Sequence, residues 1–377
     1  MIHKNIKALG WVSFFTDMAS AMITPLLPIF LVFVLHENVQ TLGYTIAIAT
    51  FISYFFRILF GYLSDKFKIT KPFIVIGYTI SALTKPLFYY AQSWQNIASL
   101  RGVERMGKAI RSASKDRLIS EYVQKNQHGK TFGFHKTMDI AGELFGALLV
   151  FCILYFWGSS EGIIRNVFAL TLLPGVMGVI IMIFFVKDSP APVKTSEYKW
   201  EKSDYRLFPI LISYFLFLIF LFGDAFFLLQ AKESGYTTTV LPLFVIVLTL
   251  TQTLLSYGVG EKIDQIGSEK MLLGSFFFGL FATISLYFHS LWIAFIFLGI
   301  FTVSSLNAIR SIISQKAKNK STVYGLFYGG TAITTAFGAL VVGHIWNAYG
   351  SNMAMCFSIF GSAMIIFVSF FLLKLYK

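Results

Sequence analysis

The chain has 377 residues, of which 56% are hydrophobic, 18% aromatic and only 13% charged. A water-soluble domain carries about 25% charged residues, so there is too little polar surface here to cover a globule in water. The net charge of +13 is therefore not read as a nucleic-acid footprint, because in a membrane protein loop charge reports orientation.

Taken in chain order, apolar runs of spanning length begin at Ala8. The first lies behind His3, Lys4 and Lys7 in the manner of a signal peptide. It holds Asp17, Pro25 and Pro28, exceeds an h-region in length and lacks a small-residue cleavage site, so it is read as a first span over 8–35. Further spans are predicted at 41–64, 72–92, 95–119, 131–157 and 163–187. A linker over 188–206, with Pro190, Pro192 and alternating charges, separates these from a second set at 207–231, 238–260, 270–288, 291–315, 321–347 and 351–373. The expectation is an all-α membrane protein of twelve transmembrane helices in two pseudo-symmetric six-helix bundles, 1–187 and 207–377, joined by a cytoplasmic linker. Cys152 and Cys356 both fall within spans, so buried thiols without a disulfide are expected.

Lys and Arg crowd the loops on the side of the N-terminus, at Lys66, Lys68, Lys71, Lys125, Lys194, Lys199, Lys262 and Lys316 among others. The opposite loops hold only Arg165 and Lys232. The positive-inside rule then puts both termini in the cytoplasm and the chain in the inner membrane.

The two sets also repeat one another. Phe15-Thr16-Asp17 returns as Phe222-Gly223-Asp224, and Gly61 with Asp65 and Lys71 returns as Gly260 with Asp264 and Lys270. Ala109-Ile110-Arg111-Ser112 returns as Ala308-Ile309-Arg310-Ser311, and Phe145-Gly146-Ala147-Leu148 as Phe337-Gly338-Ala339-Leu340. Matches in unbroken order predict homologous halves and alternating access by rocking.

The segment from Gly61 to Pro72, with Asp65 and Lys71, resembles the loop 2–3 signature of the major facilitator superfamily, and its degenerate copy runs from Gly260 to Lys270. Ser13-Phe-Phe-Thr-Asp17, Pro25-Leu-Leu-Pro28 and Arg105-Met-Gly-Lys-Ala-Ile-Arg111 are similar to a bacterial branch of largely uncharacterised members. Many of those carry an acid where this chain has Ala21 after Ser20, so their coupling chemistry in span 1 is not implied here. Asp65 and Arg111 stand as far apart in sequence as Asp264 and Arg310. Together with the family signature, that repeat implies two gate braces, Asp65–Arg111 and Asp264–Arg310.

Within the spans lie Arg57, Lys85, Arg101, Arg105, Lys108, Arg111, Lys115, Lys136 and Arg310, against Asp17, Glu104, Asp139, Glu143 and Asp224. A charge at a helix centre costs about 2.5–3.5 kcal/mol on insertion scales, so each needs a partner or a wet cavity. In span 4, Arg101, Arg105, Lys108 and Lys115, with Ser112 between, share one helical face about 21 Å long. Lys115 is expected to snorkel to the cytoplasmic interface. His135, Asp139 and Glu143 face one direction on span 5. Its two acids either pair with span 4 cations or carry a coupling proton, and His135 joins them as a coupling candidate, expected near the solvated mouth. Asp17 and Asp224 occupy equivalent positions and are read as coupling residues with a scaffold or gate role, substrate binding being the lesser alternative. Lys85, before Pro86, implies a kink deep in span 3. Arg57, Tyr324 and Tyr328 complete the candidate substrate-binding set with Arg101, Arg105, Lys108 and Lys85. His344 is read as a polar packing residue.

Surplus buried cations favour an anionic guest, and Arg engages a carboxylate bidentately. The function expected is a proton-coupled secondary transporter of a small organic anion, extending to a carboxylate-type siderophore or related polycarboxylate, with import favoured. The alternative is a proton-coupled multidrug or amphiphile exporter, which the span 4 charges oppose. An enzyme is not expected, because no catalytic triad, Gly-rich phosphate loop or metal motif falls in a segment long enough to form a domain. The expected partners are the anion, a proton and membrane lipid, with no nucleic acid, no cofactor, no metal and a monomeric chain.

Overall fold

Prolines and glycines decide where the helices break. The computed structural model describes residues 3–67, 70–122, 128–188, 202–317 and 320–376. Span 1 runs as α1 (Lys4–Ile23), stops at Pro25, and resumes as a short α2 (Leu27–Ile29) and a π-helical turn over Phe30–Val34. Span 2 is α3 (Val39–Phe67). Span 3 is α4 (Lys71–Thr84), which tightens at Pro86 into a 3₁₀ turn over Lys85–Tyr90. Proline removes the amide that an α-helix would use there.

Spans 4 and 5 are α5 (Trp94–Glu121) and α6 (His128–Trp157). Span 6 is divided into α7 (Glu161–Leu170) and α8 (Leu172–Phe185). After a short α9 (Lys202–Tyr205), span 7 is split into α10 (Phe208–Phe220) and α11 (Asp224–Glu233). The last five spans are α12 (Leu241–Ile266), α13 (Ser268–Tyr287), α14 (Leu291–Lys316), α15 (Lys320–Tyr349) and α16 (Ser351–Tyr376).

Among the described residues, ten helices are long and apolar enough to cross a membrane. The spans outside that set are the 3₁₀-tightened α4 and the charge-laden α5. Composition alone under-reads both, because one is interrupted and the other carries its charges inward.

The chain divides into two compact units. Unit 1 holds Met1–Glu37, Ile48–Thr195 and Thr237–Leu243. Unit 2 holds Asn38–Ala47, Ser196–Tyr236 and Phe244–Lys377. In unit 1, α1 packs on α6 and α8, and α4 on α5 and α8. In unit 2, α10 packs on α15 and α16, and α13 on α14 and α16. Span for span these pairings are the same, so the sequence repeat corresponds to a repeated packing plan.

Small residues allow the closest of these contacts. A Cβ on Gly142 would strike the Phe14 carbonyl oxygen and lie 2.9 Å from the Phe14 carbonyl carbon, and one on Gly146 would strike the Met18 carbonyl oxygen. The repeat-mate of Gly146, Gly338 on α15, faces Ile219 of α10 in the same way, with a Cβ position 2.7 Å from its carbonyl oxygen. The recurring Phe-Gly-Ala-Leu segment is thus the crossing of span 5 on span 1 and of span 11 on span 7. Large apolar side chains such as Phe184, Leu254 and Phe360 stand exposed on the outside, as a lipid-facing surface requires. Cys152 is also exposed and Cys356 half-buried, both free. This corrects the expectation of buried thiols: a span is itself exposed on its lipid side.

Candidate functional site

In unit 1, helices α1, α4, α5 and α6 line a partly open cavity of about 100 Å³. From α1 come Ser13, Thr16 and Asp17; from α4, Tyr78; from α5, Lys108, Arg111, Ser112 and Lys115; and from α6, Asp139.

The crossing of α4 on α5 builds one wall. Gly77 and Gly107 meet face to face, each with its Cβ position within 2.7 Å of the other's carbonyl oxygen. That approach brings Arg111 over the Tyr78 ring, 4.3 Å from its centroid. Arg111 is 5% exposed, and among the described residues its Nη1 has no hydrogen-bond partner. A buried guanidinium donor left open is costly, because desolvation is not repaid by a bond.

The other wall carries a chain of polar contacts. Lys115 Nζ donates to Ser13 Oγ at 3.4 Å, and Ser13 Oγ lies 3.0 Å from His135 Nε2. With Ser13 accepting from Lys115, its own hydrogen is directed at Nε2. The neutral imidazole then keeps its proton on Nδ1, a tautomer assigned from the network. Nδ1 lies 3.3 Å from Asp139 Oδ1, and among the described residues that oxygen has no well-aligned hydrogen-bond partner.

Several expectations change against this geometry. Lys115 does not snorkel outward; it turns into the cavity. His135 is not at a solvated mouth but 5% exposed, held by Ser13. The span 4 stripe divides. Lys108 and Lys115 line the cavity, whereas Arg101 donates to Glu104 on its own helix at 2.6 Å. Arg105 is half-buried and is not among the described lining residues.

Lys85 is fully buried and spends its Nζ on the Thr16 carbonyl oxygen at 3.1 Å, bracing α1 behind the cavity without entering it. Arg57 packs on Tyr54, with its Cζ 5.3 Å from the ring centroid. Glu143 is half-buried one turn beyond Asp139 and does not join the described lining.

The predicted equivalence of Asp17 and Asp224 fails locally. Asp17 lies within a continuous α1 and faces the cavity, whereas Asp224 is exposed at the first turn of α11. In span 7 the helix ends at Phe220, where Leu221 turns to extended backbone angles, and it restarts after Gly223 as the N-cap of α11, whereas Thr16 and Asp17 lie mid-helix in α1. Elsewhere in unit 2, Tyr324 and Tyr328 stack at 6.4 Å, Tyr324 donates to the Arg310 carbonyl oxygen at 3.0 Å, and the Arg310 side chain is exposed. His344 meets Gln40 at 3.2 Å.

The side chains of Asp65 and Asp264, and with them both proposed braces, lie outside the described residues. Arg111, assigned to a brace from sequence, is found at the cavity. Among the described residues, no three His, Cys, Asp or Glu converge as metal ligands would. Sequence reasoning missed Ser13, Thr16, Tyr78 and Ser112 as lining residues. The signals were present: Ser13 stands one turn before Asp17, Tyr78 follows the crossing glycine, and Ser112 lies between the lysines.

The model of the Major Facilitator Superfamily matches residues 9–339 of the chain. An uncharacterised MFS-type transporter of Methanocaldococcus jannaschii is 30% identical over 381 residues, spanning 94% of this chain and 93% of the relative. An uncharacterised protein of Mycobacterium tuberculosis is 28% identical over 136 residues, 36% of this chain and 32% of its own length. Among solved structures, a mutant of the nucleoside transporter NupG superposes with a TM-score of 0.81 at 13% identity, covering 99% of this chain and all of that one. A POT family transporter bound to 5-aminolevulinic acid gives 0.81 at 11% identity, with 99% and 96% covered. At such identities the likeness to the solved structures shows the fold.

Proposed function

This chain belongs to the major facilitator superfamily and is a multi-pass membrane transporter of that type, and on that premise we propose that it carries a small organic anion. The observation that supports this reading is Arg111, buried at the cavity beside Lys108 and Lys115, with an Nη1 that has no hydrogen-bond partner among the described residues. An incoming carboxylate would supply an acceptor there, and charge-assisted bonds of this kind are the stronger ones. A polycarboxylate, siderophores included, would place one arm here, because pockets for whole ligands begin at about 300 Å³.

Asp139 is the proposed proton site. It faces the same cavity as the anion, beside His135, so its charge and the guest's are felt together. A proton travelling with a monoanion cancels its charge and removes the penalty of about 2.3 kcal/mol per 100 mV for entry against an inside-negative potential. That favours import across the inner membrane, with both termini cytoplasmic as the loop charges indicate. A polar, cation-lined cavity does not suit an exporter of apolar cations.

The test is a thermal-shift screen of purified protein against organic anions, cations and neutral metabolites, followed by uptake into proteoliposomes. Anions should stabilise the wild type, and Arg111→Gln should abolish both the shift and uptake. Stabilisation by cationic amphiphiles alone, unaffected by Arg111→Gln, would refute the assignment.

A further inference from the structure

Helix α1 has two faces of different chemistry. Ser13, Thr16 and Asp17 turn to the cavity. Lys4, Lys7, Trp11, Phe14, Phe15 and Met18 follow one another at helical three- and four-residue steps and so share the opposite side. Lys4 and Lys7 are exposed, Trp11 is 48% exposed, and the last three are half-buried.

The order along the axis is that of a lipid. Both lysines stand at the end that the positive-inside rule assigns to the cytoplasm. Trp11 lies about 10 Å further in than Lys4 at 1.5 Å per residue, past a headgroup layer about 5–7 Å thick. The rings continue inward from there. Trp11 meets Phe14 edge-on at 5.4 Å and Phe15 at 6.0 Å, and Phe14 meets the exposed Phe145 of α6 at 5.6 Å.

A third lysine joins from the chain after α8. Asn5 Nδ2 donates to the Lys187 carbonyl oxygen at 3.0 Å, and the Lys187 amide donates back to Asn5 Oδ1 at 3.2 Å. This exchange pins Lys187, also exposed, beside the first turn of α1. The acid that follows it, Asp188, accepts from the Lys71 amide at the start of α4. A lysine at the end of a span commonly does no more than reach for water. Three gathered above one aromatic strip make a surface with a cationic end and an apolar end.

We propose that the outward face of α1, with Lys187, is a docking site for one acidic phospholipid. Lys4, Lys7 and Lys187 hold its phosphate, and Trp11, Phe14 and Phe145 carry an acyl chain. The occupant is a lipid and not a soluble phosphate because the apolar end continues directly from the cationic one and already faces the bilayer. Charge complementarity selects the headgroup, since a zwitterionic lipid would bring an ammonium back to the lysines. The site lies on the far side of α1 from the cavity and is independent of the solute carried.

The test is quenching of Trp11 by brominated lipids in vesicles holding the full-length protein at constant ionic strength. Brominated phosphatidylglycerol is diluted into plain phosphatidylcholine, and the reverse. The chain has six tryptophans, so the Trp11 signal is the fluorescence that Trp11→Phe removes. Phosphatidylglycerol should be preferred at Trp11 by at least about fivefold, the effect of one basic residue at an anionic surface. Lys4→Gln/Lys7→Gln should lower that preference by about fivefold or more. Lys187→Gln should act in the same direction, so that a folding defect in one variant leaves the other to decide. Lys262→Gln, the same charge change at an exposed lysine of unit 2, should leave the preference unchanged. A wild-type preference below about fivefold, one that survives in both variants, or one lost equally in Lys262→Gln overturns the site. If excess inorganic phosphate removes the preference, the surface binds a soluble anion and the lipid assignment fails.

Discussion

Replacing Gly142 by alanine tests the packing that shapes the cavity. The added Cβ would meet the backbone of Phe14, 2.9 Å from both its carbonyl carbon and its Cα, where ordinary contact begins at 3.4 Å. The obstacle is main chain, so the side chains cannot simply rotate away. Helices α1 and α6 must part by at least about 0.5 Å to recover normal contact. Overpacking of this kind costs about 1–3 kcal/mol. Alanine's better helix propensity returns up to about 1 kcal/mol. With the full propensity gain, the net is a loss of about 0–2 kcal/mol against the wild type. Against a control that gains the same propensity, the loss is about 1–3 kcal/mol. That is a Tm lower than the control's by about 2–12 °C, at the usual 2–4 °C per kcal/mol for a unit of this size. Because α1 carries Ser13 and Asp17 while α6 carries His135 and Asp139, the same displacement should weaken anion binding. The assay is thermal unfolding of the detergent-purified protein, with Gly274→Ala as control, since nothing lies within 4 Å of a Cβ at that helical position. A Gly142→Ala protein as stable as the control variant would refute the close crossing of α1 on α6.

Arg165→Ala should lower the Tm of unit 1. Arg165 Nη1 donates to the carbonyl oxygens of Tyr89 and Ala91 at 2.6 and 2.8 Å, and its Nε to Glu161 at 2.8 Å. Charged hydrogen bonds contribute about 1.5–3 kcal/mol when buried, less here because Arg165 is partly exposed. Arg165→Lys should rescue little of the loss, because one ammonium lacks the guanidinium fork. Ser13→Ala should remove the link between Lys115 and His135 and weaken anion binding several-fold with the fold intact; unchanged affinity in a binding titration would separate that chain from the site. Orientation is checked in a cysteine-free background with an impermeant maleimide on intact cells. Lys232→Cys should label from outside and Lys262→Cys only after permeabilisation, and the reverse pattern would invert the topology.

The spans were legible because insertion into a membrane demands long apolar runs, and the repeat was legible because each half reuses one packing plan. The Phe-Gly-Ala-Leu segments are readable as repeats for a physical reason: Gly146 and Gly338 both face backbone, where no larger residue fits. The site was half legible. Helical spacing correctly grouped Lys108 with Lys115 and set Asp139 on a facing helix, but spacing gives only the face of a helix and not what each residue on it meets. Arg101 and Lys115 share that face, yet one finds Glu104 three residues away and the other finds Ser13 on another helix. The repeat misled where it was most persuasive. Asp17 and Asp224 match in sequence, but the helix of span 7 breaks at Leu221, so Asp224 stands exposed in the first turn of α11 where Asp17 lies mid-helix at a cavity. Symmetry inherited from a duplicated scaffold therefore predicts packing better than chemistry. The residues that pack must remain alike in both halves, while those that bind are free to diverge once one half holds the charge.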